Sequence, residues 1–152
     1  TINYEDKTSH TVKVRATSTD PEGNKEIKTK DFTIAVTGVD DNVLSAISDT
    51  DNTANTVAEN SAAGTSVGIR AAATDLDRGS TIVYDFASNP GDLFAIDATT
   101  GAITTKGNIN YEDKTSHTVK VRATSTDPEG NTAIQTKDFT IAVTGKIGRA
   151  HV

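Results

Sequence analysis

The chain has 152 residues, with 21 acidic against 15 basic side chains and a formal net charge of −6. That balance disfavours nucleic acid and anionic membrane as partners, and suits an acidic extracellular protein or one that holds cations. Cys, Met and Trp are absent and Thr occurs 26 times, so no disulfide staples a core and the composition favours β-strands with polar outer faces.

From the N-terminus, Val12, Val14 and Ala16 alternate with Lys13 and Arg15, the period-two pattern of a half-buried strand. Phe32, Ile34 and Val36 repeat it against Thr33 and Ala35. Between them Asp20, Pro21 and Gly23 stand at the first, second and fourth positions of a type I turn, so the pair reads as a hairpin. Further strands are expected near 65–72, 81–87, 94–96 and 102–105, with another before Glu59, and Gly101 marks a turn into Ile103. The hairpin then returns at 118–123 and 138–143. No stretch offers an amphipathic helix, no apolar run reaches membrane-span length, and no signal peptide is visible. Six or seven short strands at this spacing predict an all-β fold, an antiparallel β-sandwich.

The return is literal. Residues 2–24 and 109–131 are identical, and over the 37 pairs from Ile2/Ile109 to Gly38/Gly145 only Lys25/Thr132, Glu26/Ala133 and Lys28/Gln135 differ. A period of 107 residues fits one ordinary domain, so the chain reads as a window on a tandem array that opens in mid-repeat. Residues 1–38 are expected to be the C-terminal part of one repeat, 39–42 a linker, and 43–145 a complete repeat. In the truncated copy Val12, Val14, Phe32 and Ile34 are expected to lie uncovered. After Gly145 the pattern calls for the Val-Asp-Asp-Asn of 39–42, but the chain reads Lys-Ile-Gly-Arg-Ala-His-Val. Its last six residues look like a translated sequencing adapter, so 146–152 are read as a non-native tail.

Carboxylates fall in the turns rather than along the strands: Glu5 and Asp6, Asp40 and Asp41, Asp49 and Asp51, Glu59, Asp75 and Asp77, Glu112 and Asp113, and Asp127. Acidic turns are ordinary in an acidic protein; the ordered set is what carries a signal. Thr56–Asn60 (TVAEN), Gly64–Asp77, Phe94–Thr105, Ile109–Glu112 (INYE), the TVKVRAT strand and the VDDN linker, taken in order, resemble a cadherin repeat. More narrowly, it resembles the cadherin-like repeats of very large bacterial surface proteins of the RTX-adhesin type. It implies a Greek-key sandwich of immunoglobulin-like kind, with calcium ions at each junction between repeats. Matched motif by motif, it makes Glu59, Asn110 and Glu112 ligands at one end of the repeat, and Asp75, Asp77 and Asp127 ligands at the other. Glu5, Asp40, Asp41 and Asn42 are implied as ligands from the preceding repeat and the linker. Departures from the family pattern are Asn3 and Asn110 in place of Asp, Gly38 at the opening of the linker, and Ser125 where an acid is usual. The connection 48–55 is also long, and its Asp49 and Asp51 stand as extra ligands or plain loop.

Calcium suits such a set, since it takes six to eight hard oxygen ligands. Without cations, carboxylates about 4 Å apart repel by roughly 1–4 kcal/mol per pair; with two or three ions bound the joint would stiffen. The expected function is therefore a calcium-rigidified extracellular spacer or adhesion repeat on a cell surface, its partners being neighbouring repeats. The alternative is a module that binds carbohydrate or another copy of itself, but Phe32, Phe86, Phe94 and Phe139 read as core rather than as a sugar platform. Catalysis is not expected. His10 and His117 are one position in two copies, at the start of an exposed strand, and no nucleophile, base and orienting acid converge.

Overall fold

The computed structural model describes residues 1–39 and 43–145. The chain divides into two compact units, Thr1–Asp41 and Asn42–Val152. The first is built on one hairpin, β1 (Ser9–Thr19) and β2 (Lys25–Ala35), paired antiparallel from Ser9↔Ala35 to Thr19↔Lys25. Its tip closes where the Gly23 N–H reaches the Asp20 carbonyl at 3.0 Å, with Gly23 at φ +90°, a conformation that favours glycine. The Asp20 carboxylate then grips Asn24, one oxygen on the backbone N–H at 2.8 Å and the other on the side-chain amide at 2.9 Å. Lys13 faces Asp31 at 3.1 Å, and the Lys30 ammonium lies 5.4 Å from the centre of the Phe32 ring. The apolar face is bare, as expected: Val14 is 50% exposed and Ile34 52%.

The second unit is a sandwich of two four-stranded sheets. Its strands are β3 (Ser48–Asp49), β4 (Thr56–Ala58), β5 (Ser66–Ala72), β6 (Thr81–Ser88), β7 (Phe94–Ile96), β8 (Ala102–Thr105), β9 (Ser116–Thr126) and β10 (Thr132–Thr144). One sheet runs β4-β10-β9-β6 and the other β3-β5-β8-β7. Alternation decides the layering: Val119, Val121 and Ala123 of β9 and Ile141 and Val143 of β10 point inward, where they meet Val67, Ile69, Phe94 and Ile103 of the facing sheet. Each fully buried branched side chain contributes about 1.5–3 kcal/mol through removal from water. A short 3-10 turn at Pro90–Asp92 joins β6 to β7. Among the described residues no helix is long and apolar enough to cross a membrane.

Gly101 is held to glycine twice over. It sits at φ +74°, and a Cβ there would lie 2.1 Å from the Ala71 carbonyl oxygen. The chain must come this close because the Gly101 carbonyl accepts the Ala71 N–H at 2.9 Å, stitching the turn to β5.

Three features depart from the sequence-based reading. The segment 48–55 contains β3, only two residues long, too short for any periodicity; Asp49 secures it by accepting the Arg70 N–H at 3.1 Å and the Asp51 N–H at 2.9 Å. Asp51 in turn accepts both the N–H and the hydroxyl of Thr53, at 2.9 and 2.6 Å. β4 runs parallel to β10, so the sandwich is antiparallel except at that edge. His117 is not on an exposed strand start; it is only 9% exposed, with its ring edge-on to Phe94 at 5.6 Å. His117 shares the inward phase of Val119 and Val121, and burial, with Lys114 nearby, holds its imidazole below the ordinary histidine value.

Candidate functional site

One end of the second unit gathers Asp75, Asp77, Ser125 and Asp127. Asp75 follows β5 and is tied to Leu44 by an isolated antiparallel bridge. Its Oδ1 accepts the Asp77 N–H at 2.8 Å, a local turn that aspartate forms readily. Its Oδ2 accepts the hydroxyl of Ser125 at 2.5 Å, and Ser125 is completely buried on β9. Serine thus occupies the place where the family pattern has an acid, and it donates a hydrogen bond to Asp75 instead of adding charge. The loop from Asp77 closes with the Ser80 N–H on the Asp77 carbonyl at 3.2 Å. A Cβ at Gly79 would stand 3.1 Å from the Pro128 ring, so this loop abuts the β9–β10 turn. Asp127 opens that turn and is 6% exposed. Its two oxygens accept the Asn131 N–H at 2.8 Å and the Asn131 side-chain amide at 2.9 Å. The Asn131 side chain, then its backbone N–H, hold the Asp127 carboxyl below the usual carboxylate range.

The opposite end is organised by Glu59, just after β4. Its backbone N–H binds the Thr144 carbonyl at 2.9 Å, which sets the residue against the end of β10. Its side chain is turned inward and the residue is 2% exposed, the most buried acid among the described residues. Glu59 Oε2 accepts the Tyr111 N–H at 3.4 Å. Beside it Asn110 Oδ1 caps the Glu112 N–H at 3.0 Å, and the Asn110 carbonyl takes the Lys114 N–H at 3.2 Å. Asparagine supplies this capping oxygen as well as aspartate would. A Cβ on Gly145 would lie 3.6 Å from the Tyr111 ring and 3.9 Å from Glu59 Oε1.

The first unit reproduces half of this end. Asn3 Oδ1 caps the Glu5 N–H at 3.0 Å, and the Tyr4 ring lies 3.0 Å from where a Gly38 Cβ would be. Ile2, Asn3, Tyr4 and Glu5 line a cleft with Val36, Thr37 and Val39. Gly38 therefore has a packing reason, the tyrosine ring that covers it, whereas at Gly145 the 3.6 Å to Tyr111 is ordinary contact. The repeated Tyr/Gly pair, 34 residues apart in both copies, was the sequence signal for this contact.

The expected ligands thus fall into separate groups. Asp75 and Asp77 share a turn with Ser125 against it; Asp127 opens the neighbouring β9–β10 turn; Glu59 adjoins the Asn110–Glu112 turn; Glu5 has its own cap. Asp40, Asp41 and Asn42 lie outside the described residues. Among the described residues no group of three or more acidic or histidine side chains is close enough to hold a metal ion. The donors at both ends are oxygens, carboxylate or amide, the chemistry that hard cations take. Glu59, buried and accepting the Tyr111 N–H, is a carboxylate of the kind that such a set uses.

Comparison with known proteins adds an independent line. The family described as Cadherin domain matches residues 53–144. Protocadherin Fat 4 of Mus musculus is 32% identical over 147 residues, covering 95% of this chain, and the chain spans 3% of that protein's length. The structure of mouse clustered PcdhgC3 EC1-3 superposes with a TM-score of 0.66 at 27% identity, covering 94% of this chain and 45% of that one. Mouse Cadherin-23 EC22-24 gives a TM-score of 0.69 at 23% identity, covering 95% and 45%, a likeness of fold.

Proposed function

Because this chain belongs to the cadherin domain family, whose members are extracellular adhesion modules, we propose that it is a calcium-rigidified spacer repeat of a large surface protein. In this reading residues 43–145 are one complete repeat, preceded at 1–38 by the end of another. The observation that carries it is Glu59: a carboxylate withdrawn from water to 2% exposure at the end of the sandwich, next to Asn110 and Glu112. Divalent calcium accepts carboxylate, amide and carbonyl oxygen together, the donor types that Glu59, Asn110 and Glu112 bring to this end.

Glu59, Asn110 and Glu112 would hold ions at one end of the repeat. Asp75, Asp77 and Asp127, with Glu5 and the linker residues Asp40, Asp41 and Asn42, would hold them at the other. With the charges neutralised the linker stiffens; without ions mutual repulsion frees it. The origin in a repetitive bacterial adhesin belongs to the same proposal. Its support is the near-identity of adjacent copies, since reach grows with copy number whereas a unique binding site gains little from duplication.

The test uses two consecutive complete repeats, melted in calcium, in magnesium and in EGTA. Calcium should raise the melting temperature with a midpoint of about 10⁻⁴–10⁻³ M, the range for extracellular modules, and magnesium should substitute poorly because it keeps its waters. Glu59→Gln should remove much of the calcium-induced rise while leaving the EGTA melt little changed. Identical melts in calcium and EGTA, with identical maximum dimensions in small-angle scattering, would sink the proposal.

A further inference from the structure

Ten asparagines occur in the chain, and nine of them precede Tyr, Lys, Val, Thr, Ile or Pro. Asn60 alone precedes a small unbranched residue, Ser61. The difference is chemical, because asparagine is thermolabile and its weak point is the backbone nitrogen that follows it. That nitrogen can attack the side-chain Cγ. Bulk or branching on the next side chain blocks the approach, and proline has no N–H to lose.

The fold leaves the Asn60–Ser61 link open. Asn60 is exposed, directly after Glu59 and past the end of β4. It stands at φ +59°, one of two residues other than glycine at positive φ among the described residues, a conformation that asparagine tolerates better than most side chains. The chain is pinned on either side of the link. The Asn60 N–H binds the Ile109 carbonyl at 2.8 Å, and the Ala62 carbonyl accepts the Thr65 N–H at 3.2 Å and the Thr105 hydroxyl at 2.9 Å. Between these anchors the Ser61 hydroxyl donates to the Ala58 carbonyl at 2.6 Å, while the Ser61 N–H enters no backbone hydrogen bond among the described residues. The link can therefore rotate without opening either sheet. Asn131 is the contrast: Asp127 holds both its N–H and its side-chain amide, and the residue after it, Thr132, opens β10.

We propose that Asn60 is a site of spontaneous deamidation, through which the end of the repeat that carries Glu59 gains a negative charge as the protein ages. The Ser61 nitrogen gives its proton to solvent base and bonds to Asn60 Cγ. The bond from Cγ to the side-chain nitrogen breaks, ammonia leaves, and a cyclic succinimide remains. Water then opens the ring. Addition at Cγ yields aspartate; addition at the backbone carbonyl yields isoaspartate, whose main chain runs through Cγ with an extra methylene. Water is the only co-reactant, and nothing is oxidised or reduced. Where calcium binds at that end, as proposed above, the new carboxylate raises the charge count that tunes affinity.

The test keeps the full chain folded in mildly alkaline buffer and follows its peptides by mass spectrometry, a readout independent of calcium. The peptide holding Asn60 should gain about 1 Da, amide to acid, several-fold sooner than the peptide holding Asn52, which is equally exposed but precedes Thr53. In heavy-oxygen water the product should carry one solvent oxygen, and an isoaspartyl methyltransferase should label it. Ser61→Gly should speed the conversion several-fold, and Ser61→Val should slow it by at least as much. The proposal is overturned if Asn60 converts no faster than Asn52 in the unaltered chain. It is equally overturned if Ser61→Gly and Ser61→Val convert at one rate, since attack by the Ser61 nitrogen would then not be the route.

Discussion

Val14 and Val121 belong to the same 23-residue stretch and hold the same place in the same hairpin, yet one is 50% exposed and the other fully buried. Ile2 and Ile109 differ even more, at 72% and 0%. Strand, register, tip and cross-strand ion pair are the same in both settings. The pairing pattern is the same in both settings, and what the facing sheet of the second unit adds is cover. Ile27 and Ile134 make the complementary point: they are 54% and 58% exposed, since they lie on the outward face in both copies. Only the inward phase changes environment.

This comparison can be broken most directly in the core. Ile141→Ala should cost about 2–5 kcal/mol of unfolding free energy, whereas Ile34→Ala should stay within about 0.5 kcal/mol, both read from urea melts of the full chain. Equal effects would mean that β1–β2 is buried in solution after all. A smaller effect is expected at the imidazole that only the second copy encloses. His117 is held below the ordinary histidine value chiefly by burial, so the unfolded chain takes up its proton first as pH falls. The contribution is full above the ordinary value of about 6.5 and is lost as pH drops from there through the folded value. Proton NMR should find His117 titrating low, and unfolding free energy should rise with pH across that window.

Arg122 offers a third contrast. It grips Asp85 of β6 with two nitrogens, Nε at 2.9 Å from one oxygen, and this pairing raises its pKa. Its counterpart Arg15 lies on β1, whose strand partner among the described residues is β2. Arg122→Met should lower the melting temperature slightly, an effect that shrinks with added salt, while Arg15→Met leaves it unchanged. The smallest difference is expected at the two tips. Asp20 and Asp127 are both depressed by an asparagine four residues on. Each clamp is complete above the ordinary carboxylate value and is lost as pH falls through the lowered one. Carbon-detected NMR titration should find the two values close together, and a wide gap would show that the cover reaches the turn.

Much of the fold is legible in the sequence. The long strands announced themselves through period-two alternation, the turns through Asp-Pro-x-Gly and through Gly101, and the uncovered face through the repeat itself. β3 was not legible, because two residues carry no period, nor was the parallel entry of β4, which depends on which sheet edge the chain reaches. His117 was misread by taking the strand to begin exposed, although its phase with Val119 pointed inward. For the candidate site, residue types were readable and their engagement was not. Ser125 serves Asp75, Asp127 serves Asn131, and Asp49 and Asp51 hold the 48–55 segment together; such pairings join positions up to 50 residues apart.

The sequence alone determined what depends on neighbours a few residues away: alternation, turn chemistry, the hairpin and its duplication. Tertiary structure decided which acid, Glu59, is drawn inside, and that Ser125 is buried against Asp75. Burial is a property of what packs against a side chain, and that partner arrives from distant parts of the chain.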